Sequence, residues 1–354
     1  MIVYIVVNII SLILIYLSQK TKNKIQSNLL ILVTILLLSI VAGIRYGIGT
    51  DYLKVYYPYY LEIKSGSTLD SNRIEIGYYL LNKIVVLING SFPLVMFITS
   101  FITNYFFIKG ILNFKDKISV TVAMFVYLFL YYLQTYNLIR QYIACSIIFF
   151  SIKFLMEKNT KKFVIFVLIA SLFHKTAMIF LIVPFLIKIY AYKENKVVRY
   201  ISYFILLVVI LNFQKLGNIL LDSDNLKYYS GYLTEKENSG ITIGFFIRGL
   251  PIIIPYIFLN KTISNQKDIF FMFSLTIIGC IINLLAYLTS TYGQRLAIYF
   301  TIFQIIVIAY FSKNISKDKF IIKNLLNIII IFLWYYDFIY MEMNEVVPYS
   351  TIFK

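Results

Sequence analysis

Long apolar runs separated by short polar turns dominate this chain. Segments able to cross a bilayer, or to pair as half-crossings, run near 2–18, 28–44, 92–112, 118–136, 139–156, 162–173, 175–190, 200–214, 243–259, 268–288, 296–312 and 320–340. A helix adds about 1.5 Å per residue, so crossing about 30 Å of hydrocarbon takes about 20 residues. The pattern predicts an all-α, polytopic integral membrane protein with about 12 transmembrane segments, a single membrane domain over 1–354. Segment 162–173 is too short to cross alone. With 175–190 it is expected to form a hairpin of half-helices broken at His174-Lys175, an arrangement tolerated where it lines a polar cavity. The run 76–90 is short and carries Lys83, so it reads as an interfacial or re-entrant helix.

Lysines in the short loops set the orientation. Lys20, Lys22 and Lys24, then Lys109, Lys115 and Lys117, then Lys158, Lys161 and Lys162 fall at alternate turns. Lys188, Lys193, Lys196 and Arg199 follow, then Lys261 and Lys267, then Lys313, Lys317 and Lys319. That face is assigned to the cytoplasm, which sends both termini outside. Two outer loops are long. Loop 45–91 is expected to hold a Tyr-rich interfacial helix and the 76–90 element. Loop 215–243, with its polar GYLTEKENSG tip, reads as a lid.

Composition agrees with this reading. The 354 residues are 60% hydrophobic and 14% charged, more apolar than a soluble fold of this size can bury. A net charge of +17 would suggest nucleic acid in a soluble protein; here cytoplasmic loops explain much of it, and no nucleic-acid partner is expected. Cys145 and Cys280 lie inside apolar segments and His174 is the single histidine, so neither a disulfide framework nor a metal site is expected, and no cofactor. A Gly-rich phosphate loop ending in Lys-Ser/Thr is missing from the sequence, which argues against ATP-driven transport.

Against the lysine gradient, Arg45, Arg140, His174, Arg248 and Arg295 all fall on the outer face, at or near ends of apolar segments. The bland readings are helix-end arginines snorkelling to the interface, a loop arginine in water, and a structural histidine. A charge near hydrocarbon costs about 2.5–3.5 kcal/mol, which weighs against accident at Arg140, Arg248 and Arg295. Guanidinium binds phosphate oxygens in pairs and stays protonated, so several together suit a diphosphate and stabilise it as a leaving group. Arg45 precedes Gly47, Gly49 and Asp51. Asp51 is placed either to orient that guanidinium or to act as an acid/base. His174 beside Lys175 suits a general base or a phosphate ligand.

At these residues the chain resembles the EpsG-like branch of the Wzy-type polysaccharide polymerases. The matching pieces are RYGIGTDYLKVYY (45–57), EIGYYLLNKIV (75–85), LIRQYIACSIIFFSIKFL (138–155), FHKTAMIFLIVPFL (173–186) and GQRLAIYF (293–300), in the family's order. The resemblance implies a multi-pass enzyme of the bacterial cytoplasmic membrane with an outward-facing site. It would join undecaprenyl-diphosphate-linked oligosaccharide repeats by metal-independent glycosyl transfer. Donor and acceptor would both be lipid-linked glycans amid membrane lipid, with a chain-length regulator as a protein partner. Arg45, Asp51, Arg140, His174 and Arg295 carry over by position, with Asp51, His174 and Arg140 as catalytic groups. Arg45, Arg140, Arg248 and Arg295 would bind the diphosphate, Arg248 on the reading of the residues alone. The rival classes are a lipid-linked oligosaccharide flippase, for which two related halves are missing, and a membrane acyltransferase decorating glycans.

Overall fold

The computed structural model describes residues 1–66, 74–191, 243–289, 291–316 and 319–353. The expected span at 200–214 and all but the last residue of the expected lid at 215–243 lie outside the described residues.

Every named element among the described residues is helical. In chain order they are α1 (Ile2–Lys20), α2 (Lys24–Gly43), α3 (Tyr57–Lys64), α4 (Ile76–Leu87), α5 (Phe92–Leu112), α6 (Val120–Leu130) and α7 (Ile139–Met156). There follow α8 (Thr160–Ser171), α9 (Val183–Ala191), α10 (Ile243–Asn265), α11 (Lys267–Thr289), α12 (Thr291–Thr301), α13 (Gln304–Asn314) and α14 (Phe320–Tyr335). Among the described residues, seven stretches are long and apolar enough to cross a membrane: α1, α2, α5, α7, the first 20 residues of α11, Gly293 of α12 to the end of α13, and α14 with the turn after it. Shorter apolar stretches among the described residues are α4, α6, the 175–187 segment and 247–258 within α10.

Several boundaries follow directly from local chemistry. Asn23 caps α2 by accepting from the amides of Ile25 and Gln26, and Asn159 caps α8 by accepting from Lys162. Helix α8 has 12 residues, about 18 Å at 1.5 Å each, and stops before His174, where a 3-10 helix over Lys175–Ile182 takes over. The break expected at His174-Lys175 is therefore present. Two departures from the sequence pattern have clear causes. The segment read as 118–136 leaves α-geometry at Tyr131 and continues as a 3-10 turn, Tyr132–Tyr136. The segment read as 296–312 begins earlier, at Thr291, and is interrupted at Ile302–Phe303 between α12 and α13. Tyr131 satisfies that interruption: its hydroxyl donates to the freed Thr301 carbonyl at 2.8 Å and accepts from Gln304 Nε2.

The helices segregate charge to their two ends. Gly43, closing α2, lies against Phe97 near the start of α5, so these helices run antiparallel and the Lys24 end faces the Leu112 end. There Lys117 pairs with Asp268 and Lys313 donates to the Asp116 carbonyl at 2.6 Å, gathering several lysine-bearing turns. At the other end, the C-terminal tail returns to the start of the chain. Tyr4 Oη donates to Val346 O at 2.6 Å, Tyr349 Oη donates to Val41 O at 2.7 Å, and Thr351 bridges Arg45. Both terminal segments thus meet on the face that carries Arg45.

Candidate functional site

The sequence residues singled out for chemistry divide into three groups. Arg45 is 2% exposed and points inward. Its guanidinium donates to Ala42 O at 2.5 Å and Tyr136 O at 3.1 Å, with its carbon 4.4 Å from the Tyr136 ring centroid. These contacts knit the end of α2 to the turn before α7. It lies outside the large cavity described below.

The second group surrounds a carboxylate that sequence reading did not single out. Glu75, at the start of α4, is 4% exposed. Its Oε2 pairs with Arg140 Nη1, and its Oε1 lies 3.0 Å from His174 Nδ1 and accepts from the Lys175 amide at 3.4 Å. Burial pushes the Glu75 carboxyl up; the His174 hydrogen bond and the Arg140 and His174 charges outweigh it and hold it at about 2. Backbone contact makes this convergence possible. Gly77 donates its amide to Leu172 O at 2.7 Å, and a Cβ at Gly77 would stand 2.7 Å from that same oxygen. Only glycine lets α4 approach the end of α8 this closely. Tyr56, on the π-helical turn Tyr52–Tyr56, also bonds Arg140.

The third group lines a cavity of about 720 Å³, within the usual range for small-molecule sites. Its polar part includes Gln134, Asn137, Arg248, Arg295, Asp337 and Asn344. Its apolar part includes Ile252, Tyr256, Phe273, Ile277, Leu284 and Leu333, from α10, α11 and α14. Arg248 Nη2 pairs with Asp337, on the π-helical turn Tyr336–Tyr340, tying α10 to the end of α14. Gln141 Nε2 donates to Arg295 O at 2.5 Å, which fastens α12 to the start of α7.

Asp51 joins the last two groups. Burial raises its carboxyl above the ordinary value, opposed by the charges of Arg295, Arg140 and Lys54 in that order. Asn137 fixes the loop that carries it: Asn137 Oδ1 accepts from Thr50 Oγ1 at 2.7 Å and from the Asp51 amide at 2.9 Å. The same asparagine donates to Asn344 Oδ1 in the tail at 3.2 Å. Gly49 turns the loop with φ +97°, and its amide donates to Glu345 O at 3.3 Å.

Of the six residues, Arg140 and His174 thus share the Glu75 carboxylate, Asp51 feels the charges of Arg295 and Arg140, Arg248 and Arg295 face the cavity, and Arg45 supports the scaffold. Glu75 and Asp337 were missed. Their signal was scarcity: with 16 acids against 33 Lys and Arg, an acid beside an apolar run is a ready partner for a nearby arginine. No curated protein and no solved structure shows significant similarity to the chain. One family model does match, covering residues 28–351 and with them every residue of the site, and by that match the chain is a member of the EpsG family.

Proposed function

We propose that this protein is a membrane glycosyltransferase that polymerises lipid-linked oligosaccharide repeats on the outer face of the bacterial cytoplasmic membrane. EpsG family membership is consistent with a polysaccharide polymerase. The observation that carries the reading is the amphipathic cavity, with Arg248 and Arg295 at its polar part and isoleucine, leucine and aromatic side chains along the remainder. That combination matches a diphosphate joined to an isoprenoid chain.

In this reading Arg295 and Arg248 hold the diphosphate of the donor, and Arg248 exchanges Asp337 for phosphate oxygens. Negative charge grows on the diphosphate as its bond to the anomeric carbon breaks, so fixed guanidinium groups favour the transition state over the ground state. The acceptor hydroxyl attacks from the side of Asp51, Arg140 and His174, where Asp51 or His174 takes its proton. Arg45 contributes by holding the wall rather than by touching substrate.

The test is polymerisation by purified protein in nanodiscs supplied with an undecaprenyl-diphosphate-linked repeat. Wild type is expected to form multi-repeat products. Arg295→Ala is expected to lower turnover by about 100-fold or more, the range for losing one stabilising donor, and Arg140→Ala, which removes the guanidinium paired with Glu75, is expected to lower turnover as well. Full activity in both variants would refute the assignment.

A further inference from the structure

Glu75, Arg140 and His174 form a bonded group that does not line the cavity. Glu75 uses both carboxylate oxygens, one for Arg140 and one for His174 Nδ1 and the Lys175 amide. An ionised carboxylate only accepts hydrogen bonds, and with its carboxyl held at about 2 Glu75 stays ionised throughout the neutral range. Neutral His174 must therefore carry its proton on Nδ1. Its Nε2 is left with a lone pair, and among the described residues nothing bonds that atom. The His174 side chain keeps 14% exposure, against 3% for Glu75, so the imidazole reaches outward while its orienting carboxylate does not.

We propose that Glu75 is a positioning residue that fixes His174 as the proton acceptor of the transfer reaction, through the Nδ1–H···Oε1 hydrogen bond. The identity of the proton donor, an acceptor sugar hydroxyl, rests on the polymerase reading above; the imidazole geometry does not. In the step, the hydroxyl proton passes to His174 Nε2 as its oxygen bonds the anomeric carbon. The bond from that carbon to the diphosphate oxygen breaks, and its electron pair leaves with the polyprenyl diphosphate. The imidazolium formed is neutralised by Glu75, as in other carboxylate-oriented histidine bases. Arg140 competes for the same carboxylate and limits how far Glu75 can follow the proton. The Gly77–Leu172 contact sets the distance between the two elements that carry the pair. Asp51 is the less suited base, since no hydrogen bond among the described residues orients its carboxylate.

His174 is the only histidine in the chain, so protein labelled with ¹⁵N-histidine reports a single imidazole. In the neutral imidazole of wild type, the proton is expected on Nδ1 and a lone pair on Nε2. Glu75→Gln is expected to shift the population toward Nε2–H. It should also lower kcat by about 100-fold or more, with KM for the lipid-linked repeat changed by less than about threefold. His174→Gln should lose kcat by a similar factor, and the double variant should lose no more than either alone. A wild-type Nε2–H tautomer, or a Glu75→Gln protein that folds, keeps wild-type kcat and leaves the tautomer unmoved, overturns the proposal. The tautomer readout needs no turnover. A wild type that makes no polymer would defeat the polymerase reading alone, and the tautomer would still decide for or against the orienting role.

Discussion

At Arg45 a guanidinium is sealed beneath Tyr136 and spent on two backbone carbonyls, whereas Arg295, of the same residue type, faces the cavity. Removing Arg45 strands the Tyr136 carbonyl and opens a void. Arg45→Ala is expected to cost about 3 kcal/mol. Lysine, with a single-point ammonium in place of the planar fork, should rescue only part of this. Thermal unfolding in detergent checks it; an unchanged midpoint would contradict the scaffold role. Glu75 makes a prediction in pH. Its folded-state value of about 2 lies below the ordinary 4.5. Its contribution to stability is therefore complete above about pH 4.5 and is lost as pH falls toward about 2. Glu75→Gln should flatten that acid limb. The groups acting on Glu75 are His174, Arg140 and the Lys175 amide, with Tyr59 also feeling its charge. The cationic members of the site were legible in sequence because charge beside apolar runs is conspicuous. Their acidic partners were not, because pairing across 65 residues for Arg140 and 89 for Arg248 depends on how helices pack.

Helix boundaries were most legible where the apolar run was uniform: the segments read at 92–112 and 139–156 coincide with α5 and α7. They were least legible where a distant side chain rescues an interrupted helix. Tyr131 accommodates the break between α12 and α13 from another element, so nothing near Ile302 announces it. The C-terminal tail is the element with the largest unforeseen role. Beyond the Tyr4, Tyr349 and Thr351 contacts, the Tyr46 amide donates to Ser350 O at 3.0 Å and the Ile352 amide to Ile44 O at 2.9 Å. Through Asn344 and Glu345 the tail also holds the loop that carries Asp51. A chain ending before Asn344 is expected to fold with a lowered unfolding midpoint and to lose turnover by more than tenfold. A truncated protein with wild-type kcat would show that the strap is dispensable.

For the molecule as a whole, the two ends of the bundle differ in chemistry. One gathers lysines around Asp116 and Asp268, and the other collects Arg45, Asp51 and the two termini. Cysteines introduced at Tyr46 and Lys115 are expected to react with membrane-impermeant reagent from opposite sides, Tyr46 from outside. Labelling of both from one side would contradict the topology. The lysine alternation sets Lys115 and Arg45 on opposite faces, an expectation this labelling tests; the cavity between α10, α11, α12 and α14 it could not foretell, since cavity walls come from helices far apart in sequence. On the proposed reading this cavity holds an isoprenoid by its apolar wall and a diphosphate by its arginines. Equilibrium binding of a polyprenyl diphosphate against the matching polyprenyl alcohol, to wild type and to Arg248→Gln/Arg295→Gln, tests it most directly. The diphosphate should bind wild type more tightly than the alcohol by at least about tenfold, and the double variant should lose that preference while still binding the alcohol. Equal affinity of wild type for the two lipids, or an undiminished preference in the variant, would contradict the claim.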